Sequence, residues 1–333
     1  MLCSPVGSRP YSVASVPAYP VRFAVIGEAL IDLAGSGDDE PWLARPGGSP
    51  YNVAVGLARL ERPTAFVGRI SADPLGTVLR EHAERSGVDL SCAVTAGEPS
   101  TVALVTLRNG HADYRFGVDG TADFSWRDEE LADLPGDISA VHFGSLASWL
   151  PPGDAVVARR IASLPRTALV SYDPNVRPAL QPDRAAARSA VESAVALADV
   201  VKTSSEDLDW LYGAGSGAEM SRDDVAALWR SLGATLVVIT AGGDGATAFH
   251  RAGRVHEPAR PVRMVDTVGA GDAFMSGLLD ALAEHRALDP DAVASLDTGA
   301  LHEVLGSAAL VAALTCARAG ANPPRRAERD AAR

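Results

Sequence analysis

Apolar positions along the chain fall into short unbroken runs, separated by stretches where they recur every three or four residues. The run Val21-Arg22-Phe23-Ala24-Val25-Ile26-Gly27 opens the pattern as a buried strand closed by glycine. Further strands are predicted at 64–67, 140–143, 167–172, 199–202, 236–240 and 246–250. Helical periods lie between them at 53–60, 74–86, 153–164, 183–197, 205–212 and 222–232. Strands spaced by helices of this length predict an α/β fold, a doubly wound and mostly parallel sheet flanked by helices. One segment breaks the alternation. Two β-type runs, 101–107 and 112–118, are joined by Arg108-Asn109-Gly110-His111, and Asn-Gly between such runs is a hairpin signal. With a strand at 42–45, the hairpin predicts a small β lid built from about 42–46 and 100–118.

Composition narrows the function. A formal net charge of -12 with no dense basic cluster before the tail argues against nucleic acid or an anionic membrane as partner. The three cysteines, Cys3, Cys92 and Cys316, are far apart, which suits a reducing cytoplasm better than a disulfide framework or a zinc site. The longest apolar run, 308–317, reads as a buried helix and is too short to span a bilayer. Residues 1–20, with prolines at 5, 10, 17 and 20, read as a disordered leader, and 322–333 as a flexible tail.

Candidate chemistry concentrates near the C-terminal end. An apolar β-type run ends at Val265, Gly269-Ala270-Gly271 follow, and Ala273, Phe274, Gly277, Leu278 and Leu282 then recur at helical spacing. Strand, glycine turn and helix N-terminus together make an anion site, because glycine lets backbone approach closely and the first helical N–H groups point outward. Asp272 beside such a site opposes an anion. It is either a cap on the helix or a base that takes a proton from a hydroxyl attacking the bound phosphorus. Asp32, just past the carboxyl end of the first strand, is a turn residue or a ligand for hydroxyl groups. In Tyr172-Asp173-Pro174-Asn175-Val176-Arg177-Pro178, prolines fix a loop that presents a guanidinium suited to phosphate oxygens, unless Arg177 is a surface ion pair. Lys202 is the only lysine in an arginine-rich chain, which hints that its compact ammonium matters there.

The string Asp266-Thr267-Val268-Gly269-Ala270-Gly271-Asp272-Ala273-Phe274 resembles the signature of the ribokinase-like sugar kinases, the PfkB family, and the resemblance spans about 21–321. It implies a ribokinase-like kinase domain using ATP and Mg2+. Asp272 would be the base, and the amides of Gly269, Ala270 and Gly271, with Arg177, would stabilise the transferred group. Sugar contacts would come from Asp32, from Gly47, Gly48 and Asn52 of the Gly-Gly loop, and from Ser145. The nucleotide would lie along Lys202, Ser204, Asp207, Thr240, Gly242 and Gly245. Asp207 replaces the usual Glu, with Glu206 adjacent. The last helix, 301–318, would cover adenine, with Ala309 where relatives often carry Asn. Asp266 and the carbonyls of Val268 and Gly320 match a potassium site in some members. Lid edges in this family often pair two subunits, which implies a homodimer. The blocks "GGSPYNVAVGLARL" and "HFGSLA" look like bacterial fructokinases, so fructose is the expected sugar. The alternatives are 2-keto-3-deoxygluconate, ribose or a nucleoside, or a sugar-binding regulator on a kinase scaffold. Gly117-Val118 stand where relatives carry an aromatic-Arg pair, and Glu61 where they carry glycine.

Overall fold

The computed structural model describes residues 22–35, 42–108, 111–131, 134 and 138–333. The expected leader and the Asn109-Gly110 turn lie outside the described residues. The chain enters through β1 (Arg22–Ile26), then leaves the main sheet for β2 (Leu30–Gly35) and β3 (Leu43–Gly47), and returns by α1 (Ser49–Arg59) to β4 (Thr64–Val67). A short parallel pair, β5 (Arg69–Ser71) and β6 (Val94–Ala96), brackets α2 (Pro74–Ser86). Next come the hairpin strands β7 (Val102–Arg108) and β8 (His111–Gly117), then β9 (Ile138–Gly144), α3 (Asp154–Ala162), β10 (Leu169–Asp173), α4 (Arg184–Val195) and β11 (Val200–Ser204). The chain continues through α5 (Ser205–Tyr212), α6 (Arg222–Leu232), β12 (Leu236–Thr240), β13 (Ala246–His250) and β14 (Gly253–Glu257). It closes with α7 (Ala270–Glu284), α8 (Pro290–Ala294), α9 (Thr298–Cys316) and α10 (Arg326–Ala331).

The main sheet has the order β14-β13-β12-β11-β10-β9-β1-β4, parallel from β12 to β4 and antiparallel at the β13–β14 edge. The predicted doubly wound sheet is therefore present. Its direction of winding reverses between β1 and β9, and in such sheets ligands bind outside the carboxyl ends at that reversal. One face packs under α1, α7 and α9 (Val25, Leu57, Leu278, Leu282, Val304) and the other under α3, α4 and α6 (Val141, Val191, Trp229). Among the described residues α9 is the one helix long and apolar enough to cross a membrane. In this fold it lies against α7 with Leu301, Val304, Leu305, Ala308 and Val311 buried.

The lid is a second sheet of order β3-β2-β7-β8, and it corrects the placement of Asp32. The sequence puts Asp32 on a loop past β1. Instead Leu30–Gly35 is a lid strand pairing β3 on one side and β7 on the other. Residues 258–268 correct a second expectation. No strand ends at Val265, which is exposed with Met264, and a backbone bond from Val265 N to Cys316 O holds the segment to the end of α9. The C-terminal end, expected to fray, forms α10. Its Arg329 is buried and ion-paired to Asp280 of α7.

Candidate active site

A cavity of about 270 Å³ lies where four structures converge: the lid, the carboxyl ends of β1, β9, β10 and β11, and the N-termini of α1 and α7. Both of these helices start at a glycine held at positive φ, Gly48 at 101° and Gly269 at 74°, with no side chain capping either. At Gly48 a Cβ would meet the Glu28 carbonyl oxygen at 2.6 Å, and at Gly269 it would meet Ala321 Cβ at 2.6 Å. Glycine is therefore required at both positions for space as well as for conformation. First-turn amides without intrahelical partners lie at the cavity, and such helix ends suit an anion.

Asp272 is the third residue of α7 and caps nothing. Its carboxylate is buried, with Oδ1 accepting from Ser49 Oγ at 2.7 Å and Oδ2 from Asn52 Nδ2 at 2.8 Å. Burial raises its pKa above the ordinary range, opposed by those two hydrogen bonds and by Lys202. A base so placed is fixed in orientation and made more proton-hungry by its surroundings. Of the three amides expected to cradle an anion, that of Ala270 already donates to Thr267 O at 3.2 Å.

Lys202 lies beneath this turn, and a Cβ on Gly271 would sit 3.0 Å from its Nζ. The ammonium is buried and donates to Asp173 Oδ2 at 2.6 Å. Burial alone would lower its pKa, but the Asp173 charge overcomes that and holds it above the usual lysine value. One fixed positive charge thus stands directly under the glycine turn. Arg177 also lines the cavity. Its Nη1 donates to Asn175 Oδ1 at 2.8 Å and to the carbonyls of Asn175 and Val176, so the guanidinium is braced by its own loop.

On the lid side, Asp32 faces the cavity together with Phe116, and the register Asp32↔Ala103↔Phe116 puts both on one face. Burial pushes the Asp32 carboxyl up to about 6, with Arg177 and Arg45 pulling it down and Asp272 pushing it further up. Gly47 does not line the cavity. A Cβ there would lie 2.4 Å from Asp32 Oδ2, so this glycine makes room for the carboxylate. Ser145 lines the cavity at the end of β9 with φ 54°, and its Oγ accepts from Asn175 Nδ2 at 3.2 Å.

Of the expected nucleotide residues only Lys202 lines the cavity; the others lie to one side, at the ends of β11 and β12, in α5 and in the β12–β13 turn. Ser204 and Thr240 are register partners at the strand ends, and Thr240 Oγ1 donates to Thr203 O at 3.2 Å. None of Ser204, Asp207, Thr240, Gly242 and Gly245 lines the cavity. Ser204 caps α5 by accepting from Asp207 N. Asp207 Oδ1 accepts from Val176 N at 3.1 Å, and burial, with Asp173 adding, pushes its carboxyl up to about 6. Gly242 and Gly245 hold φ of 50° and 92° in the β12–β13 turn, and a Cβ on Gly245 would strike Glu257 O at 2.2 Å. Ala309 is buried in α9.

Asp266, Val268 and Gly320, expected around potassium, are joined through the backbone amides of the last two. Asp266 Oδ1 accepts from Val268 N at 3.0 Å and its Oδ2 from Gly320 N at 2.7 Å, while Arg45 Nη1 of the lid stands 3.9 Å from Oδ2. Both carboxylate oxygens of Asp266 are thus engaged by backbone amides, beside a cation the chain itself supplies. Among the described residues no cluster of three His, Cys, Asp or Glu side chains could hold a metal ion.

Glu28, Ser49, Phe116 and Asn175 also line the cavity, and the sequence reading did not single them out. Phe116 had a signal in the period-two alternation of its hairpin. Ser49 and Asn175 flank residues that were found.

A model described as pfkB family carbohydrate kinase matches residues 22–328. A fructokinase from Rhizobium leguminosarum bv. trifolii is 39% identical over 83% of this chain and 84% of its own length. A fructokinase from Xylella fastidiosa, solved with bound ATP, superposes with a TM-score of 0.84 at 28% identity, covering 93% of this chain and 97% of that one. A Vibrio cholerae O395 fructokinase double mutant, in a form bound to fructose, ADP and potassium ion, gives 0.81 at 27% identity over 94% and 98%.

Proposed function

From its place in the pfkB family of carbohydrate kinases, to which this chain belongs, we propose that it is an ATP-dependent fructokinase. It moves the γ-phosphoryl group of ATP to a primary hydroxyl of fructose. The observation that carries this reading is the state of Asp272, a buried and uncapping carboxylate at a glycine-started helix, aimed by Ser49 and Asn52 beside a sugar-sized cavity.

Fructose sits between the lid and the sheet, with Asp32 accepting hydrogen bonds from its hydroxyl groups and Phe116 covering it. Asp272 takes the proton of the attacking hydroxyl as the new oxygen–phosphorus bond forms and the bond to ADP breaks. Negative charge gathering on the transferred group meets the amides of the Gly269–Gly271 turn, Lys202 behind it and Arg177 across the cavity. Phosphoryl transfer depends mainly on positioning and charge neutralisation, and this arrangement offers both. The nucleotide runs from that turn along Ser204, Thr240, Gly242 and Gly245 toward α9.

Magnesium neutralises the phosphates when the nucleotide is bound. It would be held chiefly by phosphate oxygens and water, with Asp207 or Glu206 at hand for an ordered water. Potassium at Asp266 and the carbonyls of Val268 and Gly320 would stiffen the turn carrying Gly269. We place two copies lid to lid, because Trp42, Leu43 and Leu104 leave apolar surface exposed on that sheet. The unpaired Cys92 and Cys316 suit the cytoplasm.

The test is ADP release, measured side by side with fructose, ribose, 2-keto-3-deoxygluconate and adenosine, on the native protein and on Asp272→Asn. Fructose is expected to give the highest kcat/KM, and Asp272→Asn to lower kcat by roughly 10²–10⁴ with ATP affinity nearly intact. Unchanged turnover in Asp272→Asn would refute the role of that carboxylate. Turnover confined to another acceptor would replace fructose.

A further inference from the structure

β10 and β11 run side by side with Tyr172 opposite Val201, so one step on, Asp173 and Lys202 face each other. Both are buried, at 1% and 4% exposed, and Lys202 Nζ donates to Asp173 Oδ2 at 2.6 Å. Lys202 lines the cavity, whereas Asp173 does not. The other carboxylate oxygen is also engaged. Asp173 Oδ1 accepts from Asn175 N at 3.2 Å, a bond to the backbone two residues on that closes a turn. Asn175 sits in that turn at φ 40°, left-handed backbone that costs free energy for a residue with a Cβ and needs support from its surroundings. From the turn, Asn175 braces Arg177 by accepting from its Nη1 through both Oδ1 and the main-chain carbonyl. The main chain of Asp173 is fixed as well. Its carbonyl accepts from Ser145 N at 2.9 Å, and a Cβ on Gly144 would strike the same oxygen. One carboxylate, held still by the end of β9, thus grips an ammonium with one oxygen and the turn behind a guanidinium with the other.

We propose that Asp173 is a positioning residue for phosphoryl transfer, fixing Lys202 directly and Arg177 through the Asn175 turn. It sets the turnover rate and leaves sugar binding alone. This rests on the sugar kinase reading of the cavity, in which those two cations meet the transferred group. An ammonium buried without a partner gives up its proton. Burial acts on Lys202 in that direction, and the charge and hydrogen bond of Asp173 outweigh it. Asp272 of α7 and Asp207 of α5 favour the charged ammonium after Asp173, and Arg177 acts on the same Asp207. His142 of β9 is a neutral ring, since burial and the lysine charge push its pKa down to about 3.

The experiment compares the native protein with Asp173→Asn, by steady-state kinetics between pH 6 and 10 and by NMR of protein labelled with nitrogen-15 at lysine Nζ. Lys202 is the only lysine, so the label gives one side-chain signal. Asparagine keeps the shape and removes the charge, so kcat at pH 7 is expected to fall about 10²-fold. The KM for fructose should stay within about twofold. The native Lys202 signal should not titrate below the ordinary lysine range, whereas in Asp173→Asn the proton should be lost at lower pH. The kcat of the variant should therefore drop further as pH rises through that point, and native kcat should show no such limb. Should Asp173→Asn fail to fold, Asp173→Leu with Lys202→Met takes its place, since it leaves no buried charge unpaired. Its kcat should lie about tenfold below that of Lys202→Met alone, because the turn bracing Arg177 is then released. Native-like kcat in Asp173→Asn, a lysine titration unchanged from native, or a fructose KM that rises with kcat intact would overturn the inference and leave the kinase reading standing. So would equal kcat in the double and single variants. A native protein that phosphorylates no sugar would overturn both.

Discussion

Asp280→Ala isolates what holds the C-terminal end of the chain. Asp280 sits eight residues beyond Asp272 on α7 and is wholly buried. It accepts from Arg62 Nε at 2.5 Å, from Arg326 Nη2 at 3.4 Å and from Arg329 Nη1. Removing it burdens the three arginines unequally. Arg62 and Arg326 are partly exposed and can turn to water, whereas Arg329 is 1% exposed and cannot. Arg329 does keep Glu284 at 3.1 Å and Asp330 at 2.6 Å. Breaking a buried ion pair costs about 3–5 kcal/mol, and the two remaining carboxylates place this case near the lower end, about 3 kcal/mol. Unfolding entropy of about 2.1 cal/mol/K per residue amounts to about 0.7 kcal/mol/K for this chain, so Tm should fall by about 4 °C. Arg329→Met should cost less, about 1–2 kcal/mol, because Asp280 then keeps Arg62 and Arg326 and no charge is stranded. Thermal unfolding gives the order of the two variants, and amide exchange over 326–331 shows whether α10 has loosened. The kcat per folded molecule should not change, since the first turn of α7 is anchored separately by Ser49 and Asn52. If Arg329→Met proves costlier than Asp280→Ala, the assignment of the buried charge burden is wrong.

Two further predictions concern the sugar side of the cavity. Gly47→Ala puts a methyl group 2.4 Å from Asp32 Oδ2, so the carboxylate must swing away. Fructose KM should then rise by about tenfold or more with ATP KM little changed, and a normal fructose KM would show that Asp32 does not hold the sugar. Asp32 accepts from hydroxyl groups best when ionised, and its pKa is raised to about 6 by burial. Fructose kcat/KM should therefore be retained above that value and lost as pH falls through it. In Asp32→Asn it should be low at every pH with no such limb, and a limb that persists in that variant would assign it to another group.

The elements read correctly from the sequence carry their own end signals. Asp73 accepts from Gly76 N, Pro74 follows it and Gly87 closes α2 at φ 88°. Ser204 and Ser221 likewise start α5 and α6 by accepting from Asp207 N and Asp224 N. The errors arose where partners far along the chain decide the outcome. Val265 looked like the end of a strand because its neighbours are apolar, but no strand edge adjoins it and Met264 and Val265 remain exposed. Residues 322–333 looked loose because proline and arginine dominate them, yet the acceptor that orders Arg329 lies 49 positions earlier. Asp32 looked like a loop residue because the lid strand follows β1 after a gap of only three residues. Glu61, left-handed at φ 60°, shows the converse. The position prefers glycine, as the resemblance suggested, and a longer side chain occupies it while pairing with Arg326.

The candidate site was legible for a related reason. α2, α4, α5, α6, α8 and α9 begin with Asp or Ser side chains accepting from their own first turns. α1 and α7 instead begin with glycine at positive φ, and both open onto the cavity. Giving up a side-chain cap for glycine costs a few tenths of a kcal/mol at each helix, a loss a chain tolerates where bare amides are needed for something else. Gly47-Gly48 and Gly269-Ala270-Gly271 thus mark in sequence two uncapped helix starts that open onto the cavity; α3 also starts uncapped at Gly153, whose φ is -77° and which does not line the cavity. What sequence could not reveal is how the two ends are joined: Ser49 and Asn52 of one helix grip the carboxylate of the other across 223 and 220 positions. That grip turns an acidic residue near a helix start, the kind of residue that elsewhere in this chain merely caps, into a buried carboxylate fixed in orientation at a cavity.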